Sequence, residues 1–304
     1  LFDAEAPDWT PTALAVGLLV LLTVLHAGRR GTSSGIQVVF TGLKIAVIIL
    51  FCVGAIAVVD TVQPVSFLPA SGDGALMTSG AFAVSLIYVG YAYTGWNAAT
   101  YLSGELTDPQ RELPHILFAG TAIVMALYVA LNMVFLAVAP MDAMAGNVEV
   151  GYIAAVSAFG DTGARLAGLV LAALLISTVS AMTLAGPRVL QVIGEDVPVF
   201  RALSKTNEDG IPFRAVWFQS GLALIFILTS SFESVLIFSG FTLALVSLVT
   251  VLGLFVLRVR QPDLARPFRV TLFPIPPMIY LALTGWTLMF VLREKPTEAG
   301  FGLG

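Results

Sequence analysis

The sequence predicts an all-α protein that crosses a lipid bilayer about eight times. Of its 304 residues, 58% are hydrophobic and only 11% are charged, whereas a soluble globular domain carries about 25% charged residues. The apolar residues also form long runs, and a helix needs about 20 of them to span the hydrocarbon core of a membrane. We therefore expect a lipid bilayer around the chain and no nucleic-acid partner. The net charge of −4 does not point to a charged macromolecule.

Eight apolar segments are predicted to be membrane-spanning helices. In chain order they are Pro11–Ala27, Ile36–Val59, Gly80–Leu106, Leu113–Ala139, Thr162–Val192, Phe213–Ser230, Ser234–Leu257 and Leu272–Leu292. The first is short but free of charge, and Lys44 interrupts the second. Shorter helices are predicted within Val148–Phe159 and around Val199–Ser204. The tail Arg293–Gly304 is predicted to lead into a further helix.

Lysine and arginine are divided unequally between the two sets of connections. Cytoplasmic loops of membrane proteins carry an excess of these residues. If the basic connection His26–Gln37 lies inside, the cytoplasmic side holds eleven of the 15. These eleven are Arg29, Arg30, Arg111, Arg188, Arg201, Lys205, Arg214, Arg258, Arg260, Arg266 and Arg269. The outside holds Arg165, Arg293 and Lys295. The first and third segments are therefore predicted to run from outside to inside across the inner (plasma) membrane.

Residues typical of enzymes and metal sites are scarce. Cys52 is the single cysteine, so no internal disulfide or cysteine-based metal site is expected. The two histidines, His26 and His115, lie at predicted helix ends. The sequence holds no phosphate-binding loop, and isolated serines in helices are not nucleophiles without a nearby base. We expect no catalytic residue, no metal and no cofactor, and therefore a protein that is not an enzyme.

The third segment contains a stretch that is unusual for a membrane helix, GYAYTGW over Gly90–Trp96. Each glycine weakens a helix by about 1 kcal/mol relative to alanine. Unpaired backbone groups in a membrane are tolerated only where they face protein or a water-filled cavity, and broken helices of this kind form substrate sites in many transporters. The alternative is a straight helix whose glycines allow close packing against a neighbour.

Three stretches resemble the amino acid–polyamine–organocation (APC) family of amino-acid permeases. Gly90–Asn97 followed by Gly104–Pro114 (GELTDPQRELP) is similar to the family's sixth helix. Gly35–Lys44 (GIQVVFTGLK) is similar to the start of its fifth helix. Leu257–Val270, followed by Pro274, is similar to the loop between its tenth and eleventh helices. The three stretches occur in the family's order and spacing.

The resemblance implies a fold and a domain arrangement. The eight segments would be helices four to eleven of a twelve-helix protein with the five-plus-five inverted repeat of LeuT-like transporters. The chain would then be one transmembrane transporter domain that lacks the first three helices. Residues 1–79 would end the first repeat, 80–257 would form the second, and 258–304 would hold the following helix and the tail.

The resemblance also implies half of a substrate site. The backbone near Tyr91, Ala92 and Thr94 would accept the ammonium group of an amino acid, at a break that includes Gly95. Tyr91 would act as an aromatic gate, and Trp96 would pack below it. The alternative for these aromatic residues is ordinary helix packing. Thr94 departs from the family, which often has glycine there, and Asp108 stands where asparagine is usual.

Lys44 is the residue for which the sequence offers the most specific functional hypothesis. It lies eight positions into the second segment. Its ammonium group either snorkels to the interface or, as the resemblance implies, is buried in place of a sodium ion. Because burial disfavours a charged amine, such a group would also be able to release a proton. Ser177 and Thr178 of the fifth segment are then expected to hydrogen-bond around Lys44. The alternative for these hydroxyl groups is contact between helices.

The expected function is sodium-independent secondary transport of amino acids or related amines by alternating access, as an exchanger or a proton symporter. Glu105 is a candidate cytoplasmic gate that pairs with an arginine; the alternative is a solvated charge at the interface. Tyr91 and Thr94 favour a neutral substrate. A non-transporting membrane sensor or assembly subunit with the same fold is the alternative function.

Overall fold

A computed structural model of the chain describes residue 7 and residues 9–28, 33–66, 68–101, 106–266 and 268–303. All regular structure in these residues is helical, which confirms the all-α prediction. The α-helices are α1 (Thr10–Gly28), α2 (Ser33–Val58), α3 (Asp73–Met77), α4 (Gly80–Ala92), α5 (Ala98–Tyr101), α6 (Pro109–Val138), α7 (Met141–Met144), α8 (Val150–Asp196), α9 (Phe213–Thr229), α10 (Phe232–Arg260), α11 (Ile275–Glu294) and α12 (Pro296–Leu303). A 3-10 helix covers Pro198–Ser204.

Six of these helices are long and apolar enough to cross a membrane, namely α1, α2, α6, α8, α10 and α11. Helices α4 and α9 are apolar but shorter. Together they correspond to the eight predicted segments, so the prediction of a multi-pass membrane protein is confirmed. The helix ends differ from the prediction by a few residues at most positions, because terminal turns are set by capping contacts rather than by hydrophobicity.

The third predicted segment is the exception, because it does not form one helix. Helix α4 ends at Ala92, the next five residues form turns, and α5 begins at Ala98. Gly95 has a φ of 101°, a left-handed conformation that glycine adopts without the steric cost of a Cβ atom. The straight-helix alternative is therefore wrong for the described residues, and the predicted break is confirmed.

Helix α8 is two helices joined at Gly160, whose φ of 67° and ψ of −179° are not helical. The part before this glycine confirms the short helix predicted within Val148–Phe159. The 3-10 helix likewise confirms the prediction around Val199–Ser204. The tail forms α12, which had been expected only as the approach to a further helix.

The described residues form two compact units that interleave along the chain. The first lies within Leu1–Phe67 and Ala122–Leu228, and the second within Leu68–Thr121 and Thr229–Gly304. The boundary between Thr121 and Ala122 falls inside α6. The inverted-repeat assignment rests on the family resemblance and stays a prediction.

The core of the first unit joins α2, α6, α7 and α8. Its buried residues are Ala55, Val134, Val138, Ala139, Met144, Ala154 and Ala158. Phe51 packs edge to face against Phe135 and Phe159, with ring centroids 5.9 and 5.8 Å apart, a favoured arrangement of aromatic pairs. The small alanines let α2 approach α8 closely, as is usual between helices in lipid.

The core of the second unit joins α4, α10, α11 and α12. Its buried residues are Ile87, Ile237, Phe241, Leu288, Val291 and Ala299. A Cβ atom on Gly240 of α10 would lie 2.6 Å from the Ile87 Cγ2 atom and 3.8 Å from the Tyr91 Cβ atom. The absence of a side chain at Gly240 therefore lets α10 pack directly against the last turns of α4, just before the break.

Candidate functional site

At the break after α4, the Tyr91 carbonyl accepts two local hydrogen bonds. The Thr94 backbone N–H donates to this oxygen at 3.0 Å, and the Thr94 hydroxyl donates to it at 2.7 Å. A carbonyl oxygen has two lone pairs, so Thr94 occupies both acceptor positions. The Tyr91 carbonyl can accept a substrate ammonium group only if the Thr94 hydroxyl moves away.

The five predicted substrate-binding residues all lie at this break: Tyr91, Ala92, Thr94, Gly95 and Trp96. The side chains of Tyr91 and Trp96 are 38% and 52% exposed, and Ala92 and Thr94 are exposed as well. The part of these side chains that is exposed can contact a substrate or another helix, so the alternative of plain helix packing stays open. Their contact with a substrate stays a prediction.

Lys44 lies eleven residues after the first residue of α2, which is about 16 Å along the helix axis. Its Nζ atom donates a hydrogen bond to the Thr178 Oγ1 atom of α8 at 2.8 Å. The Thr178 hydroxyl in turn donates to the Leu174 carbonyl of its own helix at 3.2 Å. The ammonium group thus binds to a neighbouring helix, and its role in coupling stays a prediction.

Ser177 is the second hydroxyl expected around Lys44. Its side chain is 8% exposed, and the Oγ atom has no hydrogen-bond partner among the described residues. Successive residues on a helix point about 100° apart, so Ser177 and Thr178 cannot face α2 equally. The structure brings Thr178 to Lys44 and leaves Ser177 unpaired.

A second contact with the same helix was not predicted from the sequence. The His26 Nε2 atom of α1 lies 2.8 Å from the Ser180 Oγ atom of α8. Close by, the buried Thr23 hydroxyl donates to the Ser220 hydroxyl of α9 at 2.8 Å. Helix α8 is thus contacted by two titratable side chains, His26 of α1 and Lys44 of α2. The short spacing of Thr23 and His26 on one face of α1 was the available signal.

The end of the broken helix that is predicted to be cytoplasmic is described only in part. Glu105, the predicted gate residue, lies outside the described residues. Asp108 directly precedes α6, and its Oδ1 atom accepts a hydrogen bond from the Arg111 backbone N–H at 3.3 Å. Aspartate and asparagine are comparable N-cap residues, so this departure from the family pattern keeps the cap of the helix.

A polar cluster at Tyr88, one turn before the break after α4, was also not predicted. The Tyr88 hydroxyl donates to the Glu233 Oε1 atom at 3.2 Å, and the Lys295 Nζ atom donates to the same oxygen at 3.1 Å. These contacts join α4, the first turn of α10 and the link between α11 and α12. Tyr88 lies one turn before Tyr91, so the cluster ties the helix that carries the predicted gate to its neighbours.

The chain matches the sequence model of a known protein family over nearly its whole length. Residues 2–298 match the sequence model of a family described as amino acid permease. The chain belongs to the amino acid permease family. This confirms the resemblance read from the three sequence stretches.

Several curated members of this group of transporters are similar to this permease chain. It is 26% identical to the Asc-type amino acid transporter 1 of Mus musculus, over 98% of the chain and 56% of the relative. It is 27% identical to the large neutral amino acids transporter small subunit 2 of Oryctolagus cuniculus, over the same shares. It is 23% identical to the b(0,+)-type amino acid transporter 1 of Homo sapiens, over 96% of the chain and 60% of the relative.

The permease chain spans little more than half the length of these relatives. Its relatives are transporters and not enzymes, which confirms the prediction that this chain belongs to a non-enzymatic class. The roles of individual residues are not decided by the match, because identities of 23 to 27% do not carry a side chain's function from one protein to another.

Proposed function

We propose that the protein containing this chain is a secondary active transporter of amino acids or related amines in the cytoplasmic membrane. The broken helix α4–α5 is the observation that carries this proposal. It exposes a polar backbone next to Tyr91, Thr94 and Trp96 inside an otherwise apolar sequence. Such a break is stable in a membrane only beside protein or a water-filled cavity, which is where substrate sites of this type are built.

The coupling mechanism is proposed to be independent of sodium. A fixed ammonium group at Lys44, donating to Thr178 at 2.8 Å, supplies in the protein the positive charge that a bound cation would otherwise supply. A sodium ion placed on the Thr178 hydroxyl would be repelled by Lys44. Exchange of substrates or symport with a proton remains compatible with this arrangement.

A neutral amino acid is the proposed substrate class. The side chains at the break are aromatic, aliphatic or hydroxyl-bearing and carry no charge to pair with a charged substrate side chain. One of the relatives is named as a large neutral amino acids transporter. The tyrosine and tryptophan rings at the break also offer apolar surface to an uncharged side chain.

Uptake by proteoliposomes tests the proposal. The protein containing this chain would be reconstituted and supplied with labelled amino acids, with and without a pH gradient, and with and without unlabelled amino acid inside. We expect uptake of neutral amino acids that is unchanged when choline replaces sodium. Protein-free liposomes and the variant Ser71→Ala, in the loop before α3, serve as controls.

The same experiment distinguishes the alternative function. Binding of an amino acid without uptake or exchange would favour a membrane sensor and contradict transport. Uptake that requires sodium would contradict the proposed role of the Lys44 ammonium group while leaving transport itself intact.

A further inference from the structure

The loop between α10 and α11 borders an open cavity that the proposed transport function does not use. The cavity has a volume of about 640 Å³, and three arginines line it: Arg258, Arg266 and Arg269. Asp263 is the acidic residue of this lining. The lining therefore carries an excess of positive charge, concentrated within about one turn of helix and the loop that follows it.

Arg266 holds the loop in shape. Its Nη1 atom donates to the Pro262 carbonyl at 2.8 Å and to the Leu264 carbonyl at 2.9 Å. Its Nη2 atom donates to the Gln261 carbonyl at 2.7 Å. Carbonyl oxygens satisfy these donors without cancelling the charge of the guanidinium group, so Arg266 both closes the loop and keeps the cavity positive.

Arg258 and Arg269 are not neutralised either. The Arg258 guanidinium lies over the Phe273 ring at 3.7 Å from its centroid, and its buried Nε atom has no hydrogen-bond partner among the described residues. Arg269 is exposed. Among the described residues, neither arginine forms an ion pair. A guanidinium group that lines a cavity without an ion pair is well suited to an anion that presents several oxygens.

Exposed apolar side chains of the same loop accompany these charges: Leu264 and Leu272 line the cavity, and Phe268 directly precedes Arg269. Leu264, Phe268 and Leu272 are 49%, 60% and 72% exposed. The loop directly follows the membrane-spanning helix α10, which ends at Arg260, and precedes α11, which begins at Ile275. It therefore lies at the membrane surface, on the side that the lysine and arginine count predicts to be cytoplasmic. Basic groups next to exposed apolar side chains are typical of surfaces that bind anionic lipid.

We propose that this cavity binds the phosphate group of an anionic glycerophospholipid from the cytoplasmic leaflet. The guanidinium groups of Arg258 and Arg269 donate to the phosphate oxygens. Arg266 holds the loop around the headgroup, and Leu264, Phe268 and Leu272 contact the upper part of the acyl chains. A soluble phosphate has the same oxygens but makes no use of these three apolar side chains.

Native mass spectrometry of the protein in a neutral detergent tests this site. The number of phosphatidylglycerol and phosphatidylcholine molecules retained would be compared for the unmodified protein, Arg269→Gln and Arg258→Gln. Loss of a charge-assisted hydrogen bond weakens binding by about tenfold or more. We therefore expect about tenfold weaker retention of phosphatidylglycerol in both variants and unchanged retention of phosphatidylcholine.

Arg260→Gln is the matched control, because Arg260 is an exposed arginine of the same helix turn that does not line the cavity. Equal loss of phosphatidylglycerol in Arg260→Gln and Arg269→Gln would overturn the proposal, since any basic surface would then suffice. Unchanged retention in Arg269→Gln, which breaks no internal contact, would overturn it even if Arg258→Gln misfolds. Displacement of the lipid by equimolar glycerol 3-phosphate would overturn the lipid assignment in favour of a soluble phosphate.

Discussion

At the scale of single residues, the hydrogen bonds of the Thr94 and Lys44 side chains shape the candidate site. The Thr94 hydroxyl donates to the carbonyl of Tyr91, the oxygen that is predicted to accept a substrate ammonium group. Lys44 reaches across to Thr178 and fixes its charge between α2 and α8. Both contacts are short. The sequence had singled out Thr94 as a departure from the family pattern and Lys44 as a charge within an apolar segment.

Thr94→Val should release the Tyr91 carbonyl while preserving the shape of the side chain. One hydrogen bond contributes about 1 kcal/mol net, so we expect the KM for a neutral amino acid to fall about fivefold. Initial uptake rates measured against substrate concentration would report this change. Thr94→Ser keeps the hydroxyl and should leave the KM unchanged. A higher KM in Thr94→Val would show that the hydroxyl binds the substrate itself.

Lys44→Ala should lower amino-acid uptake by at least about tenfold, because it removes the charge that stands in for a cation. It should also abolish the dependence of uptake on pH. Thr178→Val, which removes the acceptor but leaves the ammonium group, should cause a smaller loss. Uptake assayed across a range of pH values measures both effects.

His26→Gln is the companion variant for the Lys44 test, because His26 of α1 is a second titratable residue that contacts α8. We expect its pH dependence to match that of the unmodified protein. If Lys44→Ala left transport and its pH dependence unchanged, the proposed role of Lys44 would be wrong. Loss of the pH dependence in His26→Gln alone would transfer the proton-carrying role to His26.

At the scale of elements, the break after α4 depends on how closely α10 approaches it. Gly240 leaves room for Ile87 and for the start of the Tyr91 side chain. The Tyr88 hydroxyl bonded to Glu233 holds α4 against the first turn of α10. The helix that carries the predicted gate is therefore positioned by packing at Ile87 and by the polar contact of Tyr88.

Gly240→Ala should destabilise the second unit, because the new Cβ atom would lie 2.6 Å from a buried methyl group of Ile87. Overpacking of this kind costs about 1–3 kcal/mol of unfolding free energy. Gly253→Ala is the matched control on the same helix, since nothing lies within 4 Å of its added Cβ atom. Thermal unfolding in detergent should show a lower Tm for Gly240→Ala only. Equal Tm values for the two variants would contradict this packing.

At the scale of the whole molecule, the chain forms two units, and each unit consists of two separate segments of the chain. Each unit has its own core, one around Phe51 and Phe135 and the other around Ile237 and Phe241. Residues of α6 contribute to both units, because the boundary at Thr121 lies within that helix. Each of the two cores is therefore built from segments that are distant in the chain.

Cysteine labelling should establish the orientation of the chain. In a Cys52→Ala background, Ser71→Cys lies in a loop predicted to be outside, and Lys205→Cys lies in a loop predicted to be inside. Both positions are exposed. A maleimide that cannot cross membranes should label Ser71→Cys in intact cells and Lys205→Cys only after permeabilisation. The reverse pattern would contradict the orientation inferred from lysine and arginine.

Much of the fold could be predicted because membrane spans and helix breaks are local properties. A run of apolar residues specifies a spanning helix wherever it occurs, and Gly95 provides a left-handed turn that other residues resist. The non-helical residue Gly160 falls between the predicted short helix Val148–Phe159 and the fifth predicted segment, which begins at Thr162. The role of Ser177 near Lys44 stays a prediction, since the rotation of α8 relative to α2 is not a local property.

The sequence by itself determined that this chain is a multi-pass α-helical member of the amino acid permease family with a broken third segment. Lipid leaves few options for the backbone, and glycine-rich motifs with fixed neighbours are distinctive. The family resemblance led to the expectation that Ser177 and Thr178 lie around Lys44, but only the tertiary structure decided that Thr178, 134 residues further along the chain, is the one that accepts its hydrogen bond. Only the tertiary structure also decided that Arg258 stacks on Phe273. Such pairs depend on the packing and rotation of whole helices, which no short stretch of sequence specifies.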